Sequence, residues 1–243
     1  MRHTSPGSSA VRLLPAPLAQ MLRDVWARFL DPFATRSYSQ EGEDLILRRI
    51  FDQQSTGFYV DVGAHHPKRF SNTYIFYKAG WRGINIGPNP AAIPLFASIR
   101  PRDFNVQVGI SDQPSTLTYY EFDEPALNSF DGELTRWRLA NTPYKVVRES
   151  GVAVERLDAV LARLMPPGQA IDFLSVDVEG LDFAVLRSND WARFRPKCVL
   201  IEALQSSLEV ALRSDACIFL QGQGYEPFAK TYNSLIFRLR ESR

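Results

Sequence analysis

The chain has 243 residues, of which 45% are hydrophobic and 23% are charged, and its formal net charge is +1. This balance is typical of one globular domain with a substantial core, and the near-neutral charge predicts neither a nucleic-acid nor an acidic-membrane partner. The two cysteines form no CxxC pair. They therefore argue against a disulfide scaffold or a structural zinc site and favour a reducing, cytoplasmic compartment.

The N-terminal segment is predicted to be a tail followed by one amphipathic helix. Residues 1–10 are small and polar, and apolar residues recur at three- and four-residue spacing between Pro17 and Phe33. This helix could pack on its own domain, on a membrane surface or on a second subunit of a homo-oligomer. No apolar run reaches the roughly 20 residues that a transmembrane segment needs. We therefore predict two parts, residues 1–36 and a main domain over residues 37–243.

The main domain alternates between predicted strands and helices. The strands are predicted at Phe58–Val62, Trp81–Ile86, Phe104–Ile110, Leu117–Phe122, Phe173–Val178 and Cys198–Glu202, with a closing hairpin at Tyr225–Phe228 and Ser234–Leu239. The helices are predicted from Ser39 or Gln40 to Phe51, then at Tyr74–Tyr77, Ala91–Ile99, Leu157–Met165, Phe183–Leu186 and Ser206–Gln221. Asp123–Glu149 has no regular pattern and is predicted to be a substrate-side loop or lid. The alternation indicates an α/β fold: a mainly parallel sheet with helices on both faces and a C-terminal hairpin.

The first predicted strand carries Asp61 near its end, and Gly63 and Ala64 follow where the chain turns. An acidic residue and a small-residue turn at the carboxyl end of a parallel strand are typical of a nucleotide crevice. The turn would bring backbone N–H groups to a ligand, and the carboxylate would bind an ammonium or hydroxyl group. Ser111–Asp112 and Asp177–Glu179 also follow strands, so we expect the three polar clusters to converge at one edge of the sheet.

The sequence excludes two common ligands of such a crevice. No GxGxxG follows the first strand, which argues against a dinucleotide, and no GxxxxGK[ST] occurs, which argues against an NTPase. S-adenosylmethionine, a nucleoside that bears an amino acid, fits a carboxylate-plus-glycine turn without a phosphate-binding loop.

Six linked motifs resemble the FkbM family of S-adenosylmethionine-dependent methyltransferases. They are Tyr38–Asp44, Tyr59–Ala64, Ser71–Thr73, Gly80–Ile86, Pro88–Pro90 and Ser175–Gly180. The resemblance runs from Tyr38 to Glu202. It implies a class I methyltransferase (Rossmann-like) sheet and methyl transfer to a hydroxyl oxygen of a sugar, glycan or natural product.

The resemblance also implies roles for single residues. Asp61, Gly63 and Ala64 would form the cofactor turn, and Ser111 and Asp112 would lie beside the adenine. Asp177 and Glu179 would lie at the reacting edge of the cofactor, and Gln40 would reach the same edge.

The expected chemistry needs a base only to remove the proton of the acceptor hydroxyl, and Asp177, Glu179 and His65 are the candidates. If Asp177 and Glu179 are both in an extended segment, they point the same way and could share a divalent metal ion. The alternative is that Glu179 caps the following helix. His65 and His66 are adjacent and are not expected to chelate a metal together.

Gly87 departs from the family pattern. Family members place an acidic residue just before Pro-Asn-Pro, where it binds both ribose hydroxyls. Its loss would cost about 1.5–3 kcal/mol for each charged hydrogen bond, and Asn89 could partly substitute. The departure leaves a second hypothesis, a non-catalytic or weakly active binding module. If Gly87→Glu tightened cofactor binding, Gly87 would be the cause of a weak affinity.

Overall fold

The structure is a computed structural model that describes residues 15–18, 20, 21, 24, 33–204 and 206–240. The chain divides into two units, Met1–Arg36 and Ser37–Arg243, which we describe separately. In the first unit, residues 16–18, 20, 21 and 24 are helical. The predicted tail and most of the predicted helix Pro17–Phe33 lie outside the described residues, so a homo-oligomer through this helix stays a prediction. In the part of the chain that the structure describes, no helix has the length and apolar character to cross a membrane.

The second unit is built on two sheets. Its strands are β1 (Phe58–Val62), β2 (Arg82–Gly87), β3 (Phe104–Gln107), β4 (Gly109–Ile110), β5 (Ser115–Phe122), β6 (Val146–Glu155), β7 (Phe173–Val176), β8 (Cys198–Glu202), β9 (Tyr225–Lys230) and β10 (Ser234–Leu239). The large sheet has the order β3-β2-β1-β7-β8-β10-β9, and β4-β6-β5 form a small second sheet. In the large sheet only β10 runs antiparallel to its neighbours, β8 and β9. The chain order reverses between β1 and β7, where a ligand crevice forms in open parallel sheets.

The described part of the second unit also contains helices, several of which cover the two faces of the large sheet. They are α1 (Glu43–Ile50), α2 (Tyr74–Lys78), α3 (Ala92–Ile99), α4 (Gly132–Asn141), α5 (Leu157–Leu164), α6 (Asp182–Arg187), α7 (Leu208–Leu212) and α8 (Asp215–Gly222). Alternate strand residues point to opposite faces. On one face, residues such as Val60 and Val176 pack with α5, α6 and α8, while on the other face Tyr59 and Phe173 pack with α1 and α2. The predicted mainly parallel α/β fold with a C-terminal hairpin is confirmed.

Three predicted elements were wrong in extent. The strand expected at Phe104–Ile110 is two strands, because the chain crosses from the large sheet to the small one at Val108, whose N–H donates to the Gly87 carbonyl. The segment Asp123–Glu149 contains α4, a 3₁₀ turn at Pro125–Leu127 and the start of β6. The helix expected at Ser206–Gln221 is divided into α7 and α8, since Ser214 Oγ accepts a hydrogen bond from Cys217 N and caps α8.

Helix α1 begins at Glu43 and not at Ser39 or Gln40 as predicted, and Glu43 and Asp44 lie in its first turn without capping it. Gly42 occupies the N-cap position with φ 91° and no side-chain cap. The buried Asp44 carboxylate instead accepts hydrogen bonds from the Ser37 and Ser39 hydroxyls and from Tyr38 N, at 2.7–3.0 Å. It therefore fixes the loop before α1.

The loop before α1 is bound to the turn between β9 and β10. Glu43 accepts hydrogen bonds from Thr231 Oγ1 at 3.0 Å and Ser234 Oγ at 3.1 Å. Glu41 accepts two more from Asn233, one from its backbone N and one from its amide group, at 2.8 and 2.7 Å. Residues 41–43 and 231–234, which lie near the two ends of the domain in sequence, thus meet at one edge of the sheet.

Candidate active site

A cavity of about 720 Å³ opens at the carboxyl ends of β1, β2, β7 and β8. This volume is typical of sites for cofactors and small molecules. The predicted site residues that line it are Gln40, Asp61, Gly63, Ala64, His65, Asn89, Asp177 and Glu179. Two of the three expected polar clusters therefore converge.

The third cluster does not reach the cavity. Among the described residues that line it, Ser111 and Asp112 are absent. They follow β4, which belongs to the small sheet, and the Asp112 carboxylate forms an ion pair with Arg187. The cavity therefore gives no support to the assignment of Ser111 and Asp112 beside an adenine, which stays a prediction.

The turn after β1 requires glycine at position 63. Gly63 has φ 93°, and a Cβ built there would lie 1.6 Å from the carbonyl oxygen of Asp177. The backbone N–H groups of Gly63 and Ala64 both donate to the Ile86 carbonyl at 2.9 Å. The expectation that these two N–H groups serve a ligand is therefore wrong, although both residues line the cavity.

A buried arginine holds the Asp61 carboxylate in place. Asp61 Oδ2 accepts a hydrogen bond from Thr73 Oγ1 at 3.0 Å, and Arg100 Nη1 donates to the same hydroxyl at 2.7 Å. Arg100 is fully buried and also binds Ser71 Oγ and the Pro67 carbonyl. Burial raises the pKa of Asp61, and the Arg100 charge opposes that rise. The Ser71–Thr73 motif thus positions Asp61, a role that its sequence alone did not indicate.

Three carboxylates meet at the reacting edge. β7 ends at Val176 and Glu179 has φ 54°, so the condition that Asp177 and Glu179 lie in one extended segment is not met. Even so, carboxylate oxygens of Asp177, Glu179 and Glu202 all lie within 4.8 Å of one another. Glu202 was missed, although it ends an apolar strand just as Asp61 and Asp177 do.

The environment of this cluster favours bound protons. Burial, followed by the charge of Glu179, raises the pKa of Asp177 well above its ordinary value, even though its side chain is exposed to the cavity. Burial and then the charge of Asp177 raise the pKa of Glu202. Burial also raises the pKa of Glu179, and Arg138 opposes that rise. Oxygen ligands of this kind suit a hard divalent cation, which would also relieve the repulsion.

Glu179 is bound by the insert that connects β4 to α5, here defined as residues 111–156. The guanidinium of Arg138, in α4, forms an ion pair with the Glu179 carboxylate and donates to the Leu127 carbonyl. Ser129 Oγ donates to the Glu179 carbonyl at 2.7 Å. The alternative role of Glu179 as a helix cap is wrong, because α6 begins at Asp182 without a side-chain cap.

The two histidines have different environments. His66 Nδ1 accepts hydrogen bonds from Lys68 N and Arg69 N at 3.0 and 2.9 Å, so it organises the loop. His65 Nε2 is buried and has no hydrogen-bond partner among the described residues. Burial lowers the pKa of His65 to about 4. His65 is therefore a neutral imidazole at pH 7, and its unpartnered nitrogen suits a bound ligand.

Gly87 lies against the cofactor turn. A Cβ at Gly87 would lie 2.6 Å from the carbonyl oxygen of Ala64. Asn89 Oδ1 accepts a hydrogen bond from Ala91 N at 2.9 Å, so the amide nitrogen of Asn89 is the atom that can serve a ligand.

Comparison with known proteins gives a family match. Residues 61–227, more than half of the chain, match the sequence family described as the methyltransferase FkbM domain. No curated protein matches the chain. The match includes the Gly63 turn, Gly87 and all three carboxylates of the reacting edge.

Solved structures with a similar chain path include two methyltransferases. One, from Geobacter sulfurreducens, has a TM-score of 0.44 at 15% identity, with 96% of each chain covered. A TehB-like SAM-dependent methyltransferase from Corynebacterium glutamicum has a TM-score of 0.38 at 13% identity, covering 92% of this chain and 100% of its own.

Proposed function

The chain belongs to the FkbM family of methyltransferases, and from that premise we propose that it is an S-adenosylmethionine-dependent O-methyltransferase. Its proposed acceptor is a hydroxyl group of a sugar, glycan or natural product. The observation that carries the proposal is a single cavity in which the Gly63 turn faces the carboxylates of Asp177, Glu179 and Glu202.

The residues of the turn fit the proposed methyl donor. Gly63 leaves no side chain between the turn and Asp177, and His65 Nε2 offers an unpartnered polar atom. Asp61 would accept hydrogen bonds from an ammonium or hydroxyl group, and Asn89 would donate one to a ribose oxygen. Gln40 lines the same cavity and would contact the reacting edge. When bound, the donor supplies a sulfonium-activated methyl group, so positioning supplies much of the rate.

We assign the proton transfer to Asp177. Its carboxylate is exposed to the cavity, and in its deprotonated form it is a stronger base than an ordinary carboxylate, because burial raises its pKa. Asp177 would accept the proton that the acceptor hydroxyl loses when the methyl group exchanges its bond to sulfur for a bond to the acceptor oxygen, with the thioether S-adenosylhomocysteine as the leaving group. Glu179 is held by Arg138, and His65, with a pKa of about 4, is the weaker base.

A divalent metal at the three carboxylates stays a prediction. Its test is methyl transfer after dialysis against EDTA, with and without added Mg²⁺. Lost activity that Mg²⁺ restores would support the ion, and unchanged activity would exclude it.

Titration calorimetry with S-adenosylmethionine and S-adenosylhomocysteine tests the proposed cofactor. We expect one-to-one binding that Asp61→Asn weakens by about tenfold or more, because a charged acceptor is lost. Asp52→Asn, which changes a carboxylate on the exposed Arg49–Asp52 pair, is the matched control. No binding by folded protein at millimolar ligand would overturn the proposal.

The rival hypothesis, a non-catalytic or weakly active binding module, rests on Gly87. Transfer of a labelled methyl group to a panel of glycans and hydroxylated natural products separates the two. Transfer that Asp177→Asn abolishes without loss of cofactor binding supports the enzyme. Cofactor binding without transfer to any acceptor favours the module.

A further inference from the structure

Three exposed aromatic side chains line the same cavity as the carboxylates. Phe70 follows the Gly63 turn, while Trp137 and Tyr144 belong to the insert. Their exposed fractions are 42%, 57% and 40%. Large apolar side chains that are exposed together in a concave surface mark a binding site more often than chance would give.

Phe70 is held in a strained backbone conformation. Its φ is 55°, a region that a bulky side chain rarely adopts. The conformation is enforced by the next residue, since Ser71 N donates to the Tyr38 carbonyl and Ser71 Oγ accepts from Arg100. Strain of this kind persists where the surrounding structure imposes it, and it concentrates at ligand-binding sites.

An ion pair joins the two walls that carry the aromatic side chains. Arg69 donates two hydrogen bonds to Glu124 of the insert, at 2.9 and 3.1 Å. The Arg69 guanidinium also lies 4.3 Å from the centre of the Phe70 ring. The Arg69–Glu124 pair therefore links the loop that carries Phe70 to the insert.

Polar side chains accompany the aromatic ones. Asn72, Asn128 and Thr142 line the same cavity, and since each already forms a hydrogen bond within the protein, a ligand would use their remaining hydrogen-bonding capacity. A sugar ring presents an apolar face of C–H groups and an edge of hydroxyl groups, so it needs both kinds of contact, whereas a flat aromatic acceptor needs mainly the first.

We propose that Phe70, Trp137 and Tyr144 form the acceptor subsite of the cavity and bind a pyranose ring by stacking on its apolar face. This inference rests on the proposed function, because it places the sugar hydroxyl beside the carboxylates of the reacting edge. The three aromatic residues determine acceptor affinity and have no part in binding the methyl donor.

The test uses the full chain saturated with S-adenosylhomocysteine, on an array of immobilised mono- and oligosaccharides with immobilised phenols as a second arm. Trp137→Ala removes one aromatic wall. Phe70→Gly removes a second aromatic side chain, and because the φ of residue 70 suits glycine, this change adds no backbone strain. Phe228→Ala is the matched control, because Phe228 is 47% exposed and does not line this cavity.

We expect wild type to bind at least one saccharide and both cavity variants to bind it about tenfold more weakly. The control should bind like wild type, and calorimetric affinity for S-adenosylhomocysteine should be unchanged in all four proteins. Equal saccharide binding by the cavity variants, binding to phenols alone, or no saccharide binding by cofactor-loaded wild type would each overturn the subsite. A wild type that fails to bind S-adenosylhomocysteine would instead contradict the proposed function.

Discussion

Gly87 is a position where two backbones approach too closely for a side chain. A Cβ there would lie 2.6 Å from the Ala64 carbonyl oxygen, which belongs to the backbone and cannot rotate away. At Gly87, β2 thus leaves no room for a side chain against the turn after β1. Restoring the acidic residue alone would displace the turn that it is meant to assist.

We therefore predict that Gly87→Glu weakens binding of S-adenosylhomocysteine, and that Gly87→Ala does so too. Both should lower the free energy of unfolding by about 1–3 kcal/mol, the usual cost of overpacking. Gly222→Ala is the control, since no atom lies within 4 Å of a Cβ at that position. Urea unfolding and calorimetry measure both effects. Tighter binding by Gly87→Glu would show that the turn yields easily and that the lost carboxylate dominates.

Asp182 gives a pH dependence of stability whose sign can be worked out. Burial raises its pKa to about 7, from 3.8. Between these values the folded protein holds a proton that the unfolded chain has lost, so stability falls as pH rises, by at most about 1.4 kcal/mol per pH unit. Between pH 5 and pH 8 we expect the free energy of unfolding of Asp182→Asn to fall less steeply with pH than that of wild type.

The comparison cancels the titrating groups that do not interact with Asp182, whereas Asp177 and Glu202, whose pKa values its charge helps to raise, change together with it. His65, with its pKa lowered to about 4, contributes stability that is lost as pH falls from about 6.5 to about 4, the opposite slope. That contribution is present in both proteins and cancels in their difference. Identical slopes in urea titrations of the two proteins would contradict the raised pKa of Asp182.

At the scale of elements, α4 is bound to the reacting edge through Arg138. The Arg138–Glu179 pair is nearly buried, with side-chain exposures of 6% and 15%. Removing the guanidinium leaves a carboxylate buried without its counter-charge. We predict that Arg138→Met lowers the free energy of unfolding by about 3 kcal/mol, and that Arg138→Met with Glu179→Gln recovers part of the loss.

A double-mutant cycle measures this coupling, which we expect to be about 1–3 kcal/mol. Arg136→Met is the matched control, because its guanidinium is exposed and its contact with Glu133 is 4.0 Å long. Strictly additive effects of the two changes would show that the pair contributes nothing to the attachment of α4.

The strands that the sequence predicted correctly are more buried than the elements that it did not predict. Strands β1, β7 and β8 are near-continuous apolar runs because both faces of the large sheet are covered. By contrast, β6 lies in the small sheet, and most of its residues are exposed or half-buried. The sequence Val146–Glu155 contains four valines, but polar residues and a glycine interrupt them, so it has no continuous apolar run. In α4 the buried residues are Thr135 and Arg138, so its contacts are polar and leave no apolar stripe in the sequence.

At the scale of the whole molecule, residues about 190 positions apart close the domain. Glu43 is buried, and its carboxylate accepts the hydroxyls of Thr231 and Ser234. We predict that Glu43→Ala lowers the free energy of unfolding by about 2 kcal/mol, because two hydroxyls lose their acceptor.

Asp52→Ala, which removes an exposed ion pair, should change the free energy of unfolding by less than about 0.5 kcal/mol. Urea denaturation of the two variants beside wild type checks both values. A Glu43→Ala protein as stable as wild type would mean that water replaces the carboxylate at this junction.

Contacts between residues that are far apart in sequence explain why the sequence did not predict every residue of the site. Asp61, Gly63 and Asp177 lie in local strand-and-turn patterns, so the sequence placed them correctly on the cavity. Arg100 and Arg138 act on carboxylates that belong to distant strands and helices. No local pattern records such a pairing, because it depends on strand order and on the path of the insert.

The insert leaves the main fold and returns to it at one place. Gly109 and Ile110 lie beside Val154 and Glu155 in the small sheet, and Ser111 N donates to the Glu155 carbonyl. Because the two ends of the insert are adjacent, its length and sequence can change without a change in the strand order of the large sheet. If the insert carries the proposed acceptor subsite, a different insert would change the choice of acceptor and leave the turn after β1 unchanged. A changed insert would still have to bind Glu179, as Ser129 and Arg138 do in this protein.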